Sequence, residues 1–163
     1  GPTPEAQPGE GWRASLARWA RAMAAAMRAH PWSTRVPVAG PPLTPNTVAW
    51  VDGALAALGG TGLAEAEKAS VAMMLSGYVR NHVSLMGEVA TNFLAAATTP
   101  DEAMRGYSDT LRALVAGERY PALRAVLDAG VFDRADPPEA EFDFGLERIL
   151  DGIEALTRAR AAR

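Results

Sequence analysis

The sequence contains no cysteine and only two histidines among its 163 residues. Without cysteine it cannot form a disulfide, a thiolate zinc site or a cysteine nucleophile. It also lacks a glycine-rich phosphate loop after a strand and a His-Glu-x-x-His pair, which are common signals of nucleotide-binding and metal-dependent enzymes. We therefore predict that the chain is not an enzyme and has no catalytic residue, metal ligand or cofactor.

The sequence also lacks a net positive charge and long apolar runs. The formal net charge is -3, whereas a domain that holds nucleic acid usually presents a basic face. The apolar runs are interrupted by Ser76, Arg80 and Asn81, well short of the roughly 20 residues that cross a bilayer, and no signal peptide is visible. We expect this chain alone to bind neither DNA nor a membrane, and to lie in the cytoplasm, with which the lack of cysteine is compatible.

The residues that are present favour helices. Hydrophobic residues make up 48% of the chain, many of them alanine, the best helix former. The stretch from Leu63 to Ala97 contains no proline, and Val71, Leu75 and Tyr78 recur in it at steps of four and three, which is the spacing of one helix face. We predict an all-α, multi-helix bundle arranged around this one long central helix.

Start and stop signals divide the remaining chain. Residues 1–11 are rich in proline, glycine and glutamate, so we predict a disordered lead-in there and one domain over residues 12–163. Thr44 and Thr99 can each cap a helix that has proline at its first position. Further helices are predicted over residues 12–29, 121–129 and 139–159, with a loop, containing at most one short turn, over residues 32–43. The arginines of the first helix are predicted to face away from its apolar stripe: Arg13, Arg18, Arg21 and Arg28.

The central helix carries the most suggestive polar residue. His82 lies one turn from Tyr78 and one turn from Met86, and a polar group on an apolar face must bond either to the fold or to a ligand. Methionine and aromatic side chains on this and neighbouring helices suit a cavity for apolar ligands, but the same spacing suits an ordinary core. The residues by themselves leave both readings open.

The last helix combines an apolar seam with a stripe of small residues, which would let a second helix pack closely on another side. This pattern predicts a dimer interface, helped by the helix that starts at Pro100, although packing within one chain is the alternative. The predicted interface residues are Gly145, Ile149, Gly152, Ile153 and Leu156.

Several segments together resemble a known family. They are His30-Pro31-Trp32, Gly40-Pro41-Pro42-Leu43-Thr44-Pro45-Asn46, the glycine-containing stretch Leu58 to Leu63, Glu141-Phe142-Asp143-Phe144-Gly145-Leu146 and Leu150-Asp151-Gly152-Ile153-Glu154-Ala155-Leu156. In this order, across Trp12 to Arg160, they resemble the C-terminal domain of TetR-type transcriptional repressors. The resemblance implies a domain whose early helices enclose a small-molecule pocket and whose last two long helices form a four-helix bundle with a second subunit.

The resemblance also implies residue roles and a regulatory function. Family members begin with a helix-turn-helix DNA-binding domain, which nothing upstream of Trp12 could form, so we expect DNA contact only through a domain missing here. The implied function is an effector-binding and dimerisation domain for a small apolar or drug-like ligand. The implied pocket residues are Trp19, Met23, Met27, Trp50, Met74, Tyr78, His82, Met86 and Phe93.

Two alternatives to this regulator remain open. The first is a free-standing protein that binds and sequesters a small molecule without any DNA-binding function. The second, an enzyme with His82 and Glu88 as acid and base, lacks an evident nucleophile nearby.

Overall fold

The computed structural model describes residues 3–4, 7–35, 44–93, 99–115, 119–137 and 139–162, without the side chains of residues 92 and 93. Every regular element in these ranges is an α-helix, which confirms the predicted all-α class. The helices are α1 (Trp12–Ala29), α2 (Trp32–Arg35), α3 (Pro45–Ala57), α4 (Glu65–Phe93), α5 (Pro100–Leu114), α6 (Pro121–Asp128) and α7 (Ala140–Ala161). Two compact units are present, one made of Gly1–Leu85 and Phe142–Arg163 and the other of Met86–Glu141.

The helix bounds follow the sequence signals closely. The long central helix is α4, with 29 residues, and α1 has the predicted bounds. The predicted loop after residue 31 contains one helical turn, α2, and its remainder at residues 36–43 lies outside the described residues. The predicted continuation of the central helix over residues 94–97 also lies outside them.

Two threonines begin helices as their sequence context predicts. The Thr99 hydroxyl accepts a hydrogen bond from the Glu102 amide at 3.2 Å, and the Glu102 carboxylate accepts one from the Thr99 amide at 3.0 Å. Thr44 and Thr47 make the corresponding reciprocal pair at the start of α3. Both helices have proline in the first turn, where no amide donor is needed.

The core of the first unit is built from α1, α3, α4 and α7. Trp19 of α1 is 2% exposed and meets the Trp50 ring edge-on, with the centroids 5.9 Å apart. Its indole Nε1 donates to the Trp50 carbonyl at 2.9 Å. At Gly53 an added Cβ would lie 3.5 Å from the Trp19 ring, so the small residue lets the indole lie close to α3. This contact fixes α1 on α3.

The sequence predicts that the arginines of α1 face away from its apolar stripe, and in the structure two of them pair with carboxylates of α7. Arg13 donates to the carboxylates of Glu147 and Asp151 on α7, the latter at 2.7 Å, and Arg21 donates to Asp143 at 2.9 Å. The reason is that α7 carries acidic residues at about one-turn intervals along the side that faces α1. Hydrogen bonding from Arg13, and then from Arg148, lowers the pKa of Asp151 below its usual value, so this contact weakens as the pH falls through that lowered pKa.

The end of the predicted lead-in makes a specific contact with α1. Gly9 has a φ of +77° in a turn where the Glu10 amide donates to the Gln7 carbonyl at 3.2 Å. The Glu10 carboxylate then accepts from Arg18 at 2.6 Å, and this hydrogen bond lowers the pKa of Glu10. The segment just before Trp12 therefore has a defined path in the described structure.

The second unit contains α5 and α6. Val115 at the end of α5 and Leu127 on α6 are buried. Arg112 of α5 donates to the Leu127 carbonyl at 2.6 Å, and Arg124 of α6 donates to the Val115 carbonyl at 3.0 Å. These two bonds connect the helix ends within this unit.

We predict that Thr99→Ala lowers the free energy of unfolding by about 1 kcal/mol, because it removes the capping hydroxyl from α5. Urea denaturation followed by circular dichroism measures this. Thr110→Ala in the same helix is the matched control, since the exposed Thr110 hydroxyl only donates to the Gly106 carbonyl and alanine is the better helix former. Equal losses in the two variants would contradict the assigned cap.

Candidate functional site

An aromatic cluster, defined here as Tyr78, His82 and Phe142, connects α4 with the start of α7. The Tyr78 ring stacks on Phe142 with centroids 5.6 Å apart and an interplanar angle of 28°. His82 meets the same Phe142 ring edge-on at 5.3 Å. Phe142 is fully buried and His82 is 9% exposed, while Tyr78 is half-buried. The cluster therefore extends from the core towards the surface.

Tyr78 lies directly against the backbone of α7. Its hydroxyl donates to the Phe142 carbonyl at 2.7 Å. A Cβ added to Gly145 would lie 2.8 Å from the Cε2 and Cζ atoms of Tyr78, closer than such atoms approach in folded proteins. Only glycine at position 145 leaves room for this ring, and we call the contact the Tyr78–Gly145 notch.

A third helix also contributes to the cluster. The Arg28 guanidinium at the end of α1 lies over the Phe142 ring, 5.8 Å from its centroid. A cation over an aromatic face is attracted by the electron-rich face of the ring. Phe142 is thus the residue at which α1, α4 and α7 meet.

The predicted pocket residues on α1 and α3 lie in or against the core. Trp19 and Trp50 form the edge-on pair between those helices and are 2% and 9% exposed. Met23 and Met27 are half-buried and pack against the same core. Of the nine predicted pocket residues, Tyr78 and His82 are in the aromatic cluster.

The other three predicted pocket residues lie elsewhere. Met74 is 49% exposed and lines a groove beside α7. Met86 is 39% exposed and belongs to the second unit. The Phe93 side chain lies outside the described residues.

The groove, here called the α4–α7 groove, has a volume of about 590 Å³. Met74 on one wall and Leu156 on the other are 49% and 37% exposed. Both side chains therefore leave apolar surface open to solvent along the groove. The lining residues are Ala66, Glu67, Ser70, Val71, Met74, Arg148, Ile149, Gly152, Ile153 and Leu156.

Four of the five predicted interface residues line this groove, but they do so differently. Ile149, Gly152 and Leu156 offer surface to it, whereas Ile153 is 2% exposed and belongs to the chain's own core. Gly145 does not line the groove, because the space beside it holds Tyr78 of the same chain. Packing within the chain therefore accounts for two of the small or apolar residues that the sequence pattern assigned to an interface.

Charged side chains lie among the groove's lining residues. Glu67 accepts from the Nε atom of Arg160 at 3.1 Å, and Arg148 pairs with Asp151 at 2.8 Å. Arg148 also lies over the exposed Phe144 ring, 5.4 Å from its centroid. The groove thus combines apolar walls with charged groups that already have partners in the chain.

Sequence reasoning missed Phe142 as part of the candidate site. Its position in the apolar seam of α7 indicates only a core residue, and its contacts to Tyr78 and His82 join residues about 60 positions apart in the chain. Among the described residues, no three histidine, aspartate or glutamate side chains come together as a metal site would require. No helix in the described ranges is long and apolar enough to span a bilayer.

Comparison with known proteins gives consistent matches over nearly the whole chain. The family described as "Tetracyclin repressor-like, C-terminal domain" matches residues 3–157. The HTH-type transcriptional repressor DrrR1 of Streptomyces coeruleorubidus is 31% identical over 150 residues, which cover 92% of this chain and 54% of that protein. The chain thus spans about half the length of this curated relative.

A solved structure matches as well. The crystal structure of a possible TetR family transcriptional regulator from Streptomyces coelicolor superposes with a TM-score of 0.66 at 29% identity. The match covers 93% of this chain and 68% of that one.

We predict that Gly145→Ala lowers the free energy of unfolding by about 1–3 kcal/mol, because the new methyl group overlaps the Tyr78 ring. Gly87→Ala is the control, since nothing lies within 4 Å of a Cβ at that helical glycine, and it should raise stability by about 0.5–1 kcal/mol. Thermal unfolding of both variants measures the difference. A stabilised Gly145→Ala protein would be inconsistent with the notch.

Proposed function

This chain belongs to the tetracyclin repressor-like C-terminal domain family, and on that premise we propose that it is the effector-binding and dimerisation domain of a transcriptional repressor. The ligand we propose is a small apolar or drug-like molecule. The observation that carries the proposal is the family match from residue 3 to residue 157, because an aromatic cluster or an apolar groove alone could occur in many helical domains.

The aromatic cluster supports the effector role. A ligand site in a helical domain combines apolar and aromatic walls with a few polar groups that fix orientation. Tyr78 and His82 supply both kinds of group next to a fully buried Phe142. We propose that these residues form one wall of the effector site, with Met23 and Met27 of α1 as adaptable neighbours.

The α4–α7 groove supports the dimerisation role. Met74, Ile149 and Leu156 give it apolar walls, and Gly152 has nothing within 4 Å of an added Cβ. An identical helix pair related by a two-fold axis can cover such a surface at close range, giving a four-helix interface. We propose that a second copy of this chain occupies the groove.

DNA binding, in this proposal, belongs to a helix-turn-helix domain outside this chain. The curated relative is named an HTH-type transcriptional repressor, and this chain spans 54% of it. An effector bound at the aromatic cluster would then change the relative position of the two DNA-binding domains in the dimer.

We predict that Gly152→Glu converts the dimer to a monomer at micromolar concentration while the helix content stays close to wild type. A two-fold interface brings each substituted residue near its own copy, so two added carboxylates would be buried together. Light scattering gives the mass, and circular dichroism gives the helix content.

Ala161→Glu is the matched control, because it adds the same side chain to an exposed position near the end of α7, outside the groove. It should remain dimeric. A wild-type monomer, or a Gly152→Glu protein that stays fully dimeric, would overturn the proposed interface.

For the effector, we predict that a thermal-shift screen of planar, apolar natural products yields compounds that raise the melting temperature by about 5 °C or more near saturation. Binding at 100 times the dissociation constant adds about 2.7 kcal/mol, and each kcal/mol shifts a domain of this size by about 2–4 °C. Such compounds should bind His82→Ala at least about tenfold more weakly, because a tenfold change corresponds to about 1.4 kcal/mol of lost contact.

Asn81→Ala tests whether that loss is specific, because Asn81 is the exposed neighbour of His82 on α4. Its affinity should equal that of the wild type. Equal weakening in the two variants, or hits that bind His82→Ala normally, would remove His82 from the effector site.

A further inference from the structure

We propose that Tyr78 is a positioning residue through which the aromatic cluster sets the geometry of the α4–α7 groove, and thereby the strength of dimerisation. The inference rests on the proposed function, in which a second copy covers the groove. It assigns regulation to a residue that does not line the groove.

Tyr78 lies between α4 and α7 and determines the distance between them. At the Tyr78–Gly145 notch the phenol ring fills the space that a side chain at position 145 would occupy. The hydroxyl is bonded to the Phe142 carbonyl at 2.7 Å. The ring thus acts as a spacer of fixed thickness between α4 and the α7 backbone, since packed interiors do not yield to small displacements.

The α4–α7 groove lies next to the notch. Its walls are the same two helices: Met74 lies one turn before Tyr78 on α4, and Ile149 lies one turn after Gly145 on α7. The notch is therefore about 6 Å along each helix from these two wall residues, at about 1.5 Å per residue. A change in the thickness or position of the spacer changes the separation of Met74 and Ile149.

The aromatic cluster places Tyr78 beside both Phe142 and His82. The Tyr78 ring stacks on Phe142 at 5.6 Å and lies 6.0 Å from the His82 ring, centroid to centroid. A molecule that contacts His82 competes for the surface on which Tyr78 packs. Displacement of Tyr78 by such a molecule acts directly on α7, because the same ring is held in the notch.

The test measures the dimer dissociation constant by sedimentation equilibrium, with thermal unfolding to verify that each variant is folded. Tyr78→Phe removes only the hydroxyl, and Gly145→Ala pushes the ring out of the notch. Each should weaken dimerisation by at least about fivefold, although neither residue lines the groove. An unchanged dissociation constant in Tyr78→Phe would overturn the proposal.

A destabilised control separates positioning from general loss of stability. Ala54→Gly replaces a fully buried alanine on α3, which lowers the melting temperature through helix propensity while the sequences of α4 and α7 stay unchanged. It should leave the dimer dissociation constant within about twofold of wild type. If Ala54→Gly weakens the dimer as much as Tyr78→Phe does, the effect is one of stability and the proposal fails.

A double variant tests the notch itself. Because the Tyr78 hydroxyl is the atom nearest to a Cβ at position 145, Tyr78→Phe should relieve part of the overlap caused by Gly145→Ala. The double variant should therefore dimerise better than the product of the two single effects predicts. Simple additivity would mean that the two residues do not act through one contact, which contradicts the proposal.

A last variant tests the connection to the cluster. His82→Ala removes a ring beside Tyr78 and should weaken dimerisation by at least about threefold, but by less in the Tyr78→Phe background. If His82→Ala leaves the dissociation constant unchanged, the cluster does not control the groove. If the wild type itself is monomeric, both this inference and the proposed dimer fail, whereas a dimer that ignores Tyr78 and His82 removes this inference alone.

Discussion

The contact on which the first unit depends is the one between the Tyr78 phenol and the α7 backbone at Gly145. It determines how near α4 and α7 can lie, because the ring fills the space beside the glycine and is bonded to the Phe142 carbonyl at 2.7 Å. Phe142 in turn is held between Tyr78 and His82 on one helix and Arg28 on another. The relative positions of α1, α4 and α7 therefore depend on the Phe142 ring and on the absence of a side chain at Gly145.

Most of the fold could be predicted from the sequence because its helices begin and end with local signals. Thr44 and Thr99 make the reciprocal caps that their spacing predicts, and the long stretch without proline is one helix of 29 residues. Such signals act over four or five residues, so they need no knowledge of the rest of the chain. The family, too, was recognisable from the order of short segments, and its match over residues 3–157 confirms that recognition.

The candidate site was harder to predict because its contacts join distant residues. The spacing of Gly145 and Gly152 places both glycines in a single stripe of small residues. In the structure, however, Gly145 packs against Tyr78 of the same chain, whereas Gly152 faces an open groove. The sequence pattern predicts only that the arginines of α1 lie away from its apolar stripe, whereas the structure shows Arg13 and Arg21 bound to acidic residues of α7 that lie more than 120 positions away. The periodicity of the sequence shows which sides of a helix are apolar or polar, but it does not show which element each side contacts.

The helix α7 has three sides with different surroundings: α1, the core and the groove. Its acidic side meets α1 through Asp143 and Asp151, its apolar side enters the core through Leu146 and Leu150, and Ile149 lies towards the groove. These three sides share one rigid helix, so a rotation that improves one contact necessarily moves the other two. The notch at Gly145 restricts that rotation close to the groove, while the ion pairs to α1 are partly exposed and yield more easily. A molecule that alters the aromatic cluster would therefore act on the groove through the notch, and on α1 through Arg28, which lies over the Phe142 ring.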